Sequence, residues 1–377
     1  MSAPEISVVM PTYRRPDLLE RCLRALMAQT LAPTRYEVLV VDDGHEDRAR
    51  TLVERLAAEP GAPAIRYLRP ASGRGPAVAR NTGWRAAVAP LVAFTDDDTR
   101  PDVDWLRQGL SAMLAHPAWI AAAGRVRVPP MRETLGPSPR SDSARAATTS
   151  SILNPTVSET LNPTAPDPLN AVPGPDLPRI GQPQAPTDHE LMTRGLETAE
   201  FVTANAFVRR EALVRIDGFD ERFQRAWRED SDLQFRLQAM GELGRADAAL
   251  VWHPVRPERW GVSLRQQRNI FFDALLYRKH PRLYRERVRP VPPWDYYAVV
   301  LLTAGAATLA LTGNAPGAVL MLAAAIALVL RIAVRRLRRT SHAPSHVAEM
   351  LCTSAAIPFL SVYWRLRGAW HFRTPFL

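Results

Sequence analysis

Three consecutive carboxylates, Asp96, Asp97 and Asp98, close the apolar run PLVAFTDDD at 90–98. At a strand end they repel one another unless a cation lies between them, and hard oxygen ligands suit Mg2+ or Mn2+. The chemistry this offers is a metal bridging carboxylates to a diphosphate; the plainer alternative is a solvated acidic turn. A second acidic pair, Asp42 and Asp43 before Gly44, closes YEVLVVDDG at 36–44. A carboxylate there can accept hydrogen bonds from a base N–H or ribose hydroxyls while Gly44 lets the chain turn beneath the ligand. An ordinary Asp-Gly turn is the competing account. Between the two pairs, SGRGPAVARNTG at 72–83 sets a flexible turn before a helix carrying Arg80, a guanidinium for a phosphate or simply a surface charge. No Walker or dinucleotide fingerprint is present. Downstream, Glu229 and Asp230 supply either a general base or negative charge for the first turn of a helix. His253 offers a third metal ligand or a diphosphate contact, or else a structural histidine beside Pro254.

The elements that must position these residues alternate. Short β-branched runs at 6–10, 36–44, 65–68 and 90–98 are separated by helical patterns over 16–30, 47–58 and from about Gly75. Strands alternating with helices imply βαβ units and a mainly parallel sheet, whose ligands sit beyond the carboxyl ends of the strands. Both acidic clusters fall at such ends. Residues 129–187 hold 13 of the 34 prolines and no helical or alternating period, which predicts a long irregular insertion. Order is expected to resume at Glu200, where FVTANAFVRREALVRIDGFDERF reads as strand, helix and turn. AWREDSDLQFRLQAMG then reads as a helix with Leu233, Leu237 and Met240 on one face.

In order, SVVMPTYRRPD, VVDDG, GPAVARNTG, FTDDD with Pro101 and Trp105, ANAFVRREAL, GFDERF and EDSDLQFRL resemble family 2 glycosyltransferases of the GT-A fold, over roughly residues 5–255. The resemblance implies an α/β, Rossmann-like catalytic domain. It also implies inverting transfer of a sugar from a nucleotide diphosphate donor with a divalent cofactor, Mg2+ or Mn2+. Matched residue by residue, Pro11, Thr12 and Tyr13 line the nucleotide, Asp42 or Asp43 reads the base, and Arg80 and Asp97 join the donor site. Asp98 contacts the metal and Asp96 the metal or ribose; outside the matched motifs, His253 is the candidate third ligand. Glu229-Asp230 matches the family's acidic pair, with Asp230 as the expected general base. Processive members carry Gln-x-x-Arg-Trp, where this chain has Arg256-Pro257-Glu258-Arg259-Trp260, so one sugar is expected per encounter.

The 377 residues have room for one large α/β domain and a smaller part. Tyr296–Leu330 contains no charged residue. As a single helix it would be about 52 Å long, too long for a hydrocarbon core of about 30 Å. GNAPG at 313–317 therefore breaks it into a hairpin over 296–332. The net charge of +10 concentrates beside this run: 256–289 carries ten basic and three acidic residues, and 331–377 carries eight arginines and one glutamate. That distribution predicts a basic amphipathic linker over 256–295 and cytoplasmic flanks. It argues against nucleic acid as a partner. Met350–Trp364, apolar for 15 residues and containing Pro358, predicts an interfacial or re-entrant helix within 333–377. Two cysteines and no N-terminal apolar run suggest a reducing compartment.

The expectation is thus a multi-pass protein of the inner (plasma) membrane with a cytoplasmic catalytic domain. It would use a nucleotide-diphosphate sugar and a lipid-linked or glycan acceptor among membrane lipids. Two other classes fit parts of the pattern: a metal-dependent sugar nucleotidyltransferase, though 11–17 lack its basic Gly-rich loop, and an inactive membrane scaffold on the same fold.

Overall fold

A computed structural model describes residues 3–45, 47–129 and 185–377. The Pro-rich insertion expected at 129–187 lies almost wholly outside these residues. Eight strands form one sheet in the order β3-β2-β1-β4-β7-β6-β8-β5. β1 (Ile6–Thr12), β2 (Tyr36–Asp42), β3 (Ala64–Leu68) and β4 (Leu91–Phe94) pair in parallel, as the alternation of strands and helices requires. β1 pairs with β2 so that Thr12 stands opposite Asp42.

Helices α1 (Pro16–Met27), α2 (Asp47–Ala57) and α3 (Pro76–Ala86) make the crossovers. Because successive strand residues face opposite ways, Val8 and Met10 pack under α1, α2 and α4 (Trp105–Ala115), whereas Val9 packs under α3. Pro16 stands in the first turn of α1, where its missing N–H costs nothing, and Leu19, Cys22, Leu23 and Leu26 form the buried stripe.

Beyond β4 the sheet is mixed. β6 (Trp119–Arg127) and β7 (Ala206–Arg209) are antiparallel to each other, and β7 is antiparallel to β4. The two-residue β5 (Arg100–Pro101) is antiparallel to β8 (Glu242–Trp252), which itself runs parallel to β6. Strands β6 and β8 have no counterpart in the pattern reading; β8 buries Gly244, Ala246, Ala249 and Val251, exposes Glu242, Arg245 and Asp247, and is shifted in register against β6. Among the described residues an element also precedes Glu200. Helix α5 (Asp188–Arg194) starts with a reciprocal cap between Thr187 and Glu190. Helices α6 (Arg210–Ile216) and α7 (Glu229–Gln238) cover the α3 face of the sheet, Leu233 and Leu237 being buried and Met240 partly so.

After β8 come α8 (Val262–Gln266), α9 (Ile270–Lys279) and the single turn α10 (Pro281–Leu283). A third apolar cluster joins Phe272, Leu275 and Leu276 of α9 to Phe235 of α7 and to Phe372 and Phe376 at the chain's end. Three further helices are long and apolar enough to cross a membrane: α11 (Trp294–Leu311), α12 (Ala315–Leu337) and α13 (Pro344–His371). The break between α11 and α12 falls in GNAPG, with Asn314 capping the amide of Gly317. Asp295 and Arg335 pair at 3.0 Å, so the hairpin's two open ends meet.

α13 is one continuous helix of 28 residues, although Pro358 lies inside it and the apolar stretch foreseen there is 15 residues. Pro358 removes a single helical hydrogen bond, and neighbours on both sides support the helix. Glu349 accepts from the amide of Gly261, and Arg336 of α12 donates to Thr353 and Ser354. α13 thus lies along α8 and α9 instead of projecting away from them. The faces of α11 and α12 turned outward carry Leu301, Leu311, Val319 and Leu320, each at least two-thirds exposed.

Candidate functional site

The carboxyl ends of β1, β2 and β4 lie side by side, which brings the two acidic clusters to one edge. After β4 the chain makes a tight turn in which Thr99 donates both its amide and its hydroxyl to the carbonyl of Asp96. The three aspartates then point to different partners. Asp97 is fully buried, accepts a 2.7 Å hydrogen bond from Thr12 Oγ1 and pairs with Arg15 at 2.9 Å. Burial pushes it up to about 7 despite the pull of Arg15. Asp97 is therefore part of the floor that ties β4 to β1, and the donor-contacting role implied for it has no support in this placement.

Asp98 and Asp96 flank the open side. Burial works against ionisation of Asp98, yet His253, Arg256 and Arg15 together hold it below the usual carboxylate range. Arg256 Nε lies 3.1 Å away, Arg15 Nη1 3.3 Å and His253 Nε2 3.7 Å. His253 arrives through strand pairing: Arg100 of β5 stands opposite Trp252 of β8, which sets Asp98 beside His253. The candidate ligand atoms of Asp96, Asp98 and His253 all lie within 4.8 Å of one another. Two carboxylates and an imidazole fit a divalent ion that accepts oxygen and nitrogen, Mn2+ more readily than Mg2+. The buried Nδ1 of His253 has no hydrogen-bond partner.

Arg80, on the second turn of α3, is the hub. Its Nη2 is 2.8 Å from Asp96 Oδ1 and its Nη1 3.1 Å from Glu229 Oε1. Burial and then the charge of Asp230 push Glu229 up to about 8, against the pull of Arg80. Asp230 is also raised by burial, against Arg80, but Thr203 donates to both its oxygens, from the amide at 3.2 Å and the hydroxyl at 2.9 Å. Such donors favour the ionised form. The two carboxyls differ in their partners: Glu229 Oε2 has none, whereas both oxygens of Asp230 accept from Thr203.

At the end of β2, Asp42 is fully buried and committed to the fold, accepting from the amide of Gly44 at 2.7 Å and from Tyr67 Oη at 2.6 Å. Asp43 accepts from the amide of Gly75 at 2.9 Å and keeps Oδ1 without a hydrogen bond. Pro11 is half-buried, and Tyr13 is half exposed with Arg14 over its ring. Sequence reasoning missed Arg15, Arg256 and Thr203 as members of the site. Arg15 follows PTYR directly and Arg256 opens the RPERW string, yet neither spacing shows that both reach Asp98; Thr203 carries no local signal.

A family model described as "Glycosyl transferase family 2" matches residues 7–216, more than half of the chain. The chain belongs to the family 2 glycosyltransferases. Curated relatives agree: validoxylamine A glucosyltransferase of Streptomyces hygroscopicus subsp. limoneus is 29% identical over 301 residues, 75% of this chain and 58% of that protein. Glycosyltransferase AglE of Haloferax volcanii is 32% identical over 110 residues, 29% of this chain and 36% of that one. The chain thus spans between about a third and three-fifths of those relatives' lengths. Among solved structures, the mannosyltransferase PcManGT of Pyrobaculum calidifontis, in complex with GDP-Man and Mn2+, superposes with a TM-score of 0.55 at 19% identity. That match covers 98% of this chain and 88% of the other. The family 2 fold is therefore a GT-A domain, here followed by three apolar helices.

Proposed function

We propose that this chain transfers one sugar at a time, with inversion, from a nucleotide diphosphate sugar to a hydroxyl of an acceptor held at the cytoplasmic face of the inner membrane. The reading is carried by one observation: Arg80 bridges Asp96, beside His253 and Asp98, to the acidic pair Glu229-Asp230. A site for a bound diphosphate and a candidate base thus stand on either side of one guanidinium.

Asp43, with an oxygen to spare, is the residue for the base of the nucleotide, while Asp42 supports the turn. Thr12 and Pro11 form the floor on that side, and Tyr13 offers an exposed ring. Asp96, Asp98 and His253 would hold a divalent ion, and that ion, when bound, neutralises charge on the departing diphosphate. Arg80 supplies a fixed positive charge at the same edge. Asp230 takes the proton of the acceptor hydroxyl as its oxygen bonds to the anomeric carbon on the face opposite the leaving group, a single carboxylate being enough for inversion. Glu229, buried, holds Arg80 in place. Where processive chains have Gln, Arg256 instead pairs with Asp98, which supports a single addition. The outward apolar faces of α11 and α12 support a membrane seat, which raises the local concentration of a membrane-borne acceptor.

The test is Asp230→Asn in the full chain, with folding checked by circular dichroism and donor binding by calorimetry with Mn2+. Loss of general-base catalysis should lower the transfer rate by about 10^2–10^4-fold. A folded Asp230→Asn protein that transfers at the wild-type rate would sink the assignment.

A further inference from the structure

The residues on either side of Glu229 and Asp230 are gripped by a helix outside the stretch matched by the family model. Asp273 of α9 is buried and accepts from Trp227 Nε1 at 2.8 Å, from Arg228 Nε at 2.7 Å and from Tyr284 Oη at 3.1 Å. Arg228 immediately precedes α7 and adopts φ 74, a left-handed backbone that non-glycine residues hold only when the surroundings impose it. On the other side, Asp232 is fully buried and meets Lys279 Nζ at 2.6 Å and His280 Nε2 at 3.0 Å, both at the end of α9. Lys279 also reaches Asp220, in the turn before α7, at 2.6 Å. It is the only lysine in a chain whose other basic residues are arginines. A compact ammonium with three donors can serve two carboxylates at one point, where a planar guanidinium imposes its own fork.

α9 is in turn fixed to α13. A Cβ on Gly368 would lie 2.7 Å from the carbonyl oxygen of Phe271, so the two helices meet backbone to backbone, and Arg278 donates to the carbonyl of Phe372. The clamp on the acidic turn is thus built from segments that pack against an apolar helix long enough to cross a membrane.

We propose that α9 is a positioning element for the sugar-transfer step: Asp273 and Lys279, neither of which touches the site, hold the first turn of α7 so that Asp230 faces the acceptor. This rests on the transfer reading above. A buried two-sided clamp matters because a displacement of about 1 Å in a reacting group can cost about 10^2-fold in rate.

The experiment compares full-length wild type, Asp273→Asn, Lys279→Gln and Lys279→Arg in detergent. It measures kcat and donor KM, binding of the donor with Mn2+ by calorimetry, and amide exchange over 226–233. D273N and K279Q are expected to lower kcat at least tenfold with donor KM and donor Kd within about twofold, and to speed exchange in that segment alone. K279R keeps the charge without the compact three-donor geometry and should recover only part of the rate. Wild-type kcat in both D273N and K279Q overturns the proposal. So does a fall in kcat that only matches a lost folded fraction, or K279R no better than K279Q. If D273N does not fold, the two lysine variants decide by the same criteria. Failure of the transfer reading shows separately: wild type would bind donor yet neither transfer nor hydrolyse it.

Discussion

Arg80 Nη1 lies 3.1 Å from Glu229 Oε1 although 149 residues separate them, and both side chains are almost wholly shielded from water. The same guanidinium reaches Asp96, so one side chain holds the two halves of the site at a fixed separation. Replacing it leaves Asp96, Glu229 and Asp230 facing one another without their cation. Arg80→Met should lower stability by about 3–5 kcal/mol, the cost of stripping a buried charge of its partner. Chemical denaturation monitored by tryptophan fluorescence checks this, and an unchanged midpoint would show that the hub is dispensable.

The raised carboxyl of Glu229 has a signature in pH. Its folded value near 8 lies above its unfolded value of 4.5, so it contributes stability that is fully present below about 4.5 and is lost as pH rises through about 8. Glu229→Gln does not titrate. Wild-type stability measured relative to E229Q should therefore fall between those limits, by on the order of a few kcal/mol. A pH-independent difference would place the proton elsewhere.

The acidic strand-end pair should separate into two phenotypes. Asp42→Ala removes the acceptor of Tyr67 and of the Gly44 amide from a dry site, which should cost about 1–3 kcal/mol of stability. Asp43→Ala, which loses only the partly buried hydrogen bond from the Gly75 amide, should cost less stability and weaken donor binding instead. Thermal melts and donor titrations on both variants make the comparison, and a reversed pattern would exchange their roles.

His253→Ala should weaken Mn2+ binding about tenfold or more, read by the electron paramagnetic resonance of free Mn2+, because it removes one of three converging ligand groups. Arg256→Ala, which removes a competing cation from Asp98, should leave that affinity unchanged or raise it. Equal loss in both variants would point to a site built differently.

Gly75→Ala tests the turn above the nucleotide side. The residue sits at φ 107, and a Cβ there would lie 2.8 Å from the carbonyl oxygen of Gln224. Strain of about 1–3 kcal/mol is expected, together with a shift of the backbone amide that donates to Asp43. Melting temperature and donor affinity should fall together.

Local patterns were enough to read the parallel half of the sheet, the strand-end carboxylates Asp42, Asp43, Asp96 and Asp98, and the apolar hairpin broken at GNAPG. Each is written in contiguous residues whose period or spacing fixes which way side chains face. Those same patterns did not separate Asp96 and Asp98 from Asp97, because three adjacent aspartates look alike until Thr12 and Arg15 take the middle one into the floor. Nor did they show why His253 belongs with Asp98, which depends on the two-residue strand β5 pairing with β8, or that Arg80 holds Glu229 while Thr203 donates to Asp230. The clamp of Asp273 and Lys279 on α7 was equally hidden: a buried ion pair between distant segments has no periodicity. Tertiary structure decided these points because the state of a charge depends on what surrounds it in space, and most of those neighbours are far away in sequence.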